Sequence, residues 1–173
     1  MARIHYADPA DSDLKALAER IARERGGKLL NLYRALLNSP RLAEGWLHLF
    51  TVIRQQCELP AQYRELVILS IALWNGAEYE YRQHLPHALA AGLSQSQLEA
   101  LPNGTKSPLF DDAQRAVLRY AESMTRDIHV PDEVFAAVAQ YFPPRQLVEL
   151  TATVAGYNMV SRVLEALKID HED

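Results

Sequence analysis

Residues 75–92, NGAEYEYRQHLPHALAAG, put two glutamates, two tyrosines and two histidines into one short run. At helical periodicity Glu80, His84 and His87 share one face, at spacings of four and three. Glu80 and His84 are then neighbours within hydrogen-bonding reach. A carboxylate beside an imidazole favours the protonated ring and fixes its orientation, as a general acid requires. A structural reading stands beside this one. Glu78 and Glu80 fall in the first turn of the predicted helix, where the dipole favours acids. His84 is then a satisfied core histidine and His87 a surface residue. A metal site from Glu80, His84 and His87 is geometrically possible, but the order is not His-Glu-x-x-His and no metal is expected.

Three further places carry candidate chemistry. Glu65 lies one helix earlier, on a stripe with Ile68, Leu69 and Ala72. It sits either at the helix's exposed start or inside, as a carboxyl with a raised pKa. Buried carboxylates are costly and tend to persist where chemistry uses them. In AGYNMVSR (155–162), Asn158 and Arg162 are four apart and offer an amide and a planar fork to a substrate carboxylate. They serve equally well to bond helix ends or a partner subunit. Cys57 is the single cysteine, so no intramolecular disulfide and no Cys-x-x-Cys pair is possible. Standing before Glu58-Leu59-Pro60, it reads as a small packing residue rather than a reactive thiol.

The elements that position these groups are predicted to be helices throughout. Asp11 and Ser12 cap a first helix through LKALAERIARER, which Gly26-Gly27 stops. KLLNLYRALLN forms a second, closed by Ser39-Pro40. RLAEGWLHLFTVIRQQC forms a third, with Leu42, Trp46, Leu49 and Ile53 on one stripe. Pro60 precedes the apolar helix around ELVILSIALW, which Asn75-Gly76 ends. The site helix follows from about Ala77 to Ala91, with Pro86 removing one backbone bond inside it. Ser94-x-x-Gln97 is a capping box for a short helix, and PNGTKSP is a loop. Helices at about 111–127, 131–141 and 144–168 complete an all-α chain.

A weak internal repeat is visible. RELVILS at 64–70 aligns without gaps onto RQLVELT at 145–151, each opening a long apolar helix after a proline. The expectation is two related helical hairpins about a pseudo-two-fold axis. Glu65, Glu80 and His84 align with Gln146, Ser161 and Glu165, so only the first copy holds the acid–base set.

Bulk properties narrow the classes. At 173 residues the chain is long enough for one domain with a core of its own. Its net charge of -4, with Lys and Arg scattered, argues against a nucleic-acid surface or a polybasic membrane anchor. The longest apolar stretch, around 66–74, is far short of the ~20 residues that span a bilayer. MARIHYADPADSD lacks the apolar segment of a signal peptide, so a cytoplasmic protein is expected.

The run RELVILSIALWNGAEYEYRQHLPHALAAGLS, Arg64 to Ser94, resembles the carboxymuconolactone decarboxylase family, which includes the alkylhydroperoxidase D (AhpD)-like proteins. The resemblance implies an AhpD-like all-α bundle over the whole chain, with about 1–38 as an N-terminal helical extension. In the peroxidase branch, the upstream glutamate falls on Glu65 and the histidine on His84. The two redox cysteines fall on Ala77 and Glu80, which supply neither a thiolate nucleophile nor a resolving thiol. The decarboxylase branch works without that pair and without a cofactor. By resemblance to it, His84 is the acid that protonates carbon as carbon dioxide leaves, Glu80 orients it, and Glu65 is a second proton carrier. Arg162 or Arg82 would hold a substrate carboxylate, with Asn158 beside Arg162, and Tyr79, Tyr81 and Trp46 would form walls. Family members also tend to assemble as closed homo-oligomers.

Three functions follow. The first is a cofactor-independent decarboxylase-like enzyme acting on a small unsaturated acid or lactone. The second is an AhpD-like homo-oligomer that binds without catalysing. The third is a peroxidase using Cys57 alone.

Overall fold

Ala18 and Ile21, three positions apart, turn inward from helix α1 (Lys15–Glu24), and Gly26-Gly27 ends it as the sequence predicts. The computed structural model describes residues 1–172. The expected cap is replaced: Leu14 holds the N-cap position without a side-chain bond, and Asp11 accepts instead from the Asp13 N–H at 3.1 Å. Helix α2 (Asn31–Leu36) is shorter than expected, because Leu30 is extended.

Helix α3 (Pro40–Thr51) starts on a proline, whose fixed φ suits a first helical turn. Its buried stripe is Ala43, Trp46, Leu47 and Phe50. Two members of the predicted stripe, Leu42 and Leu49, are 55% and 43% exposed. The small Ala43 and the ring of Phe50 define the inward face, and Trp46 packs on Phe50 with centroids 5.0 Å apart. One π-helical turn, Val52–Gln56, replaces the expected continuation.

The chain forms two compact units. The first comprises Met1–Gln56 and the C-terminal residues from Leu164. Within it, the Arg3 N–H donates to the Leu167 carbonyl at 2.9 Å, and the Tyr6 hydroxyl to Asp170 at 3.1 Å. The second unit, Cys57–Val163, holds the candidate site.

A helix apolar on every side must be enclosed. Helix α4 (Ala61–Asn75) is buried at every position from Glu65 to Ala72. Gly76, at φ 69°, takes the left-handed conformation that glycine adopts without steric cost, and it turns the chain into α5 (Glu78–Ala90). Helix α5 passes through Pro86 without ending. The capping box on α6 (Gln95–Ala100) is present as predicted, with Ser94 and Gln97 bonded reciprocally.

The expected loop after it is a 3-10 helix, Leu101–Lys106, led by Pro102. Helix α7 (Asp112–Arg126) opens on a second capping box, from Asp111 and Gln114. Helices α8 (Asp132–Ala139) and α9 (Pro144–Leu167) follow. Among the described residues there is no strand, and no helix is long and apolar enough to cross a membrane.

Candidate active site

Glu65 and His84 meet because a tight turn folds their two helices back on each other. Glu65 lies eleven residues before Gly76 and His84 eight after it. At 1.5 Å per residue, these are roughly matched depths in an antiparallel pair. The His84 Nδ1–H donates to Glu65 Oε2 at 2.7 Å, with both residues buried at 6% and 3% exposure. The Arg64 Nε–H donates to the other oxygen, Oε1, at 3.2 Å. Burial pushes the Glu65 carboxyl up, but the bond and charge of His84 and the guanidinium of Arg64 outweigh it and hold the group below its usual range. The expectation of a raised value for a buried Glu65 is thus reversed by two partners.

Glu80 does not orient His84 by a hydrogen bond. Its residue is 2% exposed, and neither carboxyl oxygen has a hydrogen-bond partner. Glu78, its neighbour in the first turn, is exposed and pairs with Arg82 one turn on. Glu80 instead shares the inward face of α5 with His84 and Ala88. Burial alone raises its carboxyl well above the normal range, one turn from the buried Glu65–His84 pair.

The remaining candidates are distributed as follows. Tyr157 closes on the His84 ring edge-on, with centroids 5.0 Å apart and planes at 89°. His87 is exposed, its ring 5.8 Å from that of His84. Tyr79 is buried on α5. Trp46 lies in the first unit.

Asn158 is engaged at both ends of its amide. Its Nδ2 donates to Thr125 Oγ1 at 2.9 Å and to the Val154 carbonyl at 3.0 Å. Its Oδ1 accepts from Asn75 at 3.1 Å and from Arg162 at 2.7 Å. Asn75 also donates to Ser161 Oγ at 2.7 Å, so one polar network ties the end of α4 to α7 and α9. Arg82, the other arginine considered for a substrate carboxylate, is exposed.

Burial, then the Glu149 charge, push the Cys57 thiol up, away from the thiolate a peroxidase needs. Among the described residues no three His, Cys, Asp or Glu side chains converge as a metal site.

Sequence reasoning missed Arg64, Asn75 and the Tyr157–His84 contact. A helical wheel relates residues within one helix, so it favoured Glu80 as the partner of His84. The usable signal was the turn at Asn75-Gly76, which sets Glu65 opposite His84.

Residues 40–123 match the carboxymuconolactone decarboxylase family model. Among curated protein sequences, none matches the chain. Solved structures share the fold. The debrominase Bmp8, in a cysteine-to-alanine variant bound to 2,3,4-tribromopyrrole, has a TM-score of 0.82 and 19% identity over 99% of this chain and 94% of that one. An uncharacterized peroxidase-related protein from Silicibacter sp. TM1040 has a TM-score of 0.83 and 20% identity over 98% and 90%. A putative antioxidant defence protein AhpD from Agrobacterium tumefaciens has a TM-score of 0.74 and 19% identity over 80% and 95%. With one cysteine, this chain has the all-helical AhpD-like fold without a cysteine pair.

Proposed function

We propose, on the premise that residues 40–123 are a carboxymuconolactone decarboxylase-family segment, that the chain is a cofactor-independent enzyme using Glu–His acid–base chemistry on a small unsaturated acid or lactone. The observation that carries this reading is the buried 2.7 Å bond between Glu65 and His84. Glu65 commits Nδ1, so the proton that reaches substrate travels through Nε2. The bond from the substrate's carboxylate carbon breaks, its electron pair moves into the conjugated system, and carbon dioxide leaves. His84 delivers its proton to the carbon that gains the electrons and is reprotonated from water. Glu65 stays ionised and stabilises the charged ring, as its two cationic neighbours allow. A positioned acid of this kind contributes about 10²–10⁴-fold.

Release of carbon dioxide from a panel of unsaturated lactone acids tests the reading. Wild type turns over at least one member, His84→Gln loses about 10²-fold or more, and Cys57→Ser matches wild type. Equal rates for wild type and His84→Gln overturn it. The absent cysteine pair favours a second reading, an AhpD-like binding protein without catalysis. On that reading no panel member is turned over, and His84→Gln alters stability alone.

We also take the protein to assemble with copies of itself. Exposed Val148 and Met159 on α9 support this, and sedimentation velocity checks it.

A further inference from the structure

Glu80 is a group the acid–base scheme leaves without a task. A buried carboxyl with both oxygens unpartnered carries a desolvation penalty that packing does not return. An apolar residue of similar size would fill the same space at no such cost. The residue stands in the first turn of a 13-residue helix, one turn before His84 and on the same inward face. On that face Ala88 is small and fully buried with no donor or acceptor side chain, as is Ala77 just before the helix, and the Nδ1 of His84 is engaged by Glu65. We propose that Glu80 is the ligand-recognition group of this site, its unpartnered carboxyl placed to hydrogen-bond a carboxylate oxygen of a small unsaturated monocarboxylic acid. The inference rests on the acid–base reading of Glu65 and His84 and narrows its substrate to the free acid, as against an ester or a lactone without a carboxylate.

The chemistry selects the ligand by protonation state. Sealed from water and without a hydrogen-bond partner, the Glu80 carboxyl is driven towards its neutral form, which has one O–H to donate and one carbonyl oxygen to accept with. An ionised Glu80 would repel a carboxylate; a neutral one donates to it, and hydrogen bonds with one charged partner are the stronger kind. The charge of the ligand is then met by the cationic side of the site, where Arg64 and His84 both bond the single carboxylate of Glu65. A neutral ester presents only a weaker acceptor and gains less from the same O–H.

Crotonate and methyl crotonate are suitable probes, titrated by NMR into wild-type, Glu80→Gln and Glu80→Met protein. Infrared difference spectra between wild type and Glu80→Gln isolate the carboxyl band. The expected results are a protonated-acid band at neutral pH that moves to lower frequency when crotonate is added, and preference for crotonate over its ester. Glu80→Gln, which keeps a donor and an acceptor, holds crotonate within a few-fold of wild type. Glu80→Met loses about 10- to 100-fold and melts at a higher temperature without ligand. The proposal is overturned by an ionised band, by a band that crotonate does not move, by equal binding of acid and ester, or by crotonate binding that survives Glu80→Met. Absence of crotonate binding to wild type also overturns it. These readouts need no turnover. A chain that binds crotonate through Glu80 but is catalytically indifferent to His84→Gln would refute the acid–base reading alone.

Discussion

His84 Nδ1 and Glu65 Oε2 lie 2.7 Å apart in a buried pair whose members are nineteen residues apart in the chain. The bond joins α4 to α5 inside the second unit, so it is part of the fold as well as of the site. Removing one member of a buried pair strands the other, which costs about 3–5 kcal/mol. Glu65→Ala is expected to lower unfolding stability by that order in urea titrations. His84→Gln keeps a donor and is expected to lower it less.

Stability should depend on pH in opposite senses at the two glutamates. The folded pKa of Glu65 is lowered, so its contribution is complete above the ordinary carboxylate range and is lost as pH falls through the lowered value. The folded pKa of Glu80 is raised, so the folded chain binds the extra proton. Its contribution is complete below the ordinary range and is lost as pH rises towards the raised value. Glu80→Gln should therefore gain stability relative to wild type as pH increases from about 4 to 7. Urea midpoints of both proteins across that range measure the difference, and a constant gap refutes it.

The network at the end of α4 is expected to behave as a unit. Asn75→Ala removes two donated bonds, to Asn158 Oδ1 and Ser161 Oγ, and should cost about 1–3 kcal/mol. Because Asn158 also holds Thr125 and Arg162, Asn75→Ala and Asn158→Ala should be non-additive, with a coupling of about 0.5–3 kcal/mol. Thermal denaturation of the two single variants and the double variant reads this directly.

One substitution should have opposite signs at two glycines. A methyl at Gly104 would stand 2.9 Å from Leu118 Cδ1, so Gly104→Ala should destabilise by about 1–3 kcal/mol. Nothing lies within 4 Å of a methyl at Gly45 inside α3, and Gly45→Ala should stabilise by about 0.5–1 kcal/mol. Melting temperatures of the pair check both signs.

These residues also show what the sequence made legible. Helix content, the Gly26-Gly27 and Gly76 stops and the Ser94 capping box depend on neighbours a few positions away, and they could be read directly. The buried run of α4 was legible because it has no polar face. Two members of the α3 stripe were each misplaced by one position, since Leu42 and Leu49 outweigh Ala43 in hydrophobicity while the packing follows Ala43 and Phe50; Trp46 and Ile53 are buried as expected. The titratable residues Glu65, Glu80 and His84 of the candidate site stood out by residue type. Their pairing did not, because an i to i+4 contact within α5 competes with one across the hairpin. The hairpin contact holds because Glu65, unlike Glu80, has a second cationic partner in Arg64 to offset its burial.

The nitrogen-15 NMR spectrum of the His84 ring in wild type and Glu65→Gln tests the Glu65–His84 pair most directly. The wild-type Nδ1 is expected to carry a strongly hydrogen-bonded, low-field proton, lost or shifted upfield in Glu65→Gln. A His84 whose Nδ1 carries no proton, or whose spectrum is unchanged by Glu65→Gln, would contradict that pairing.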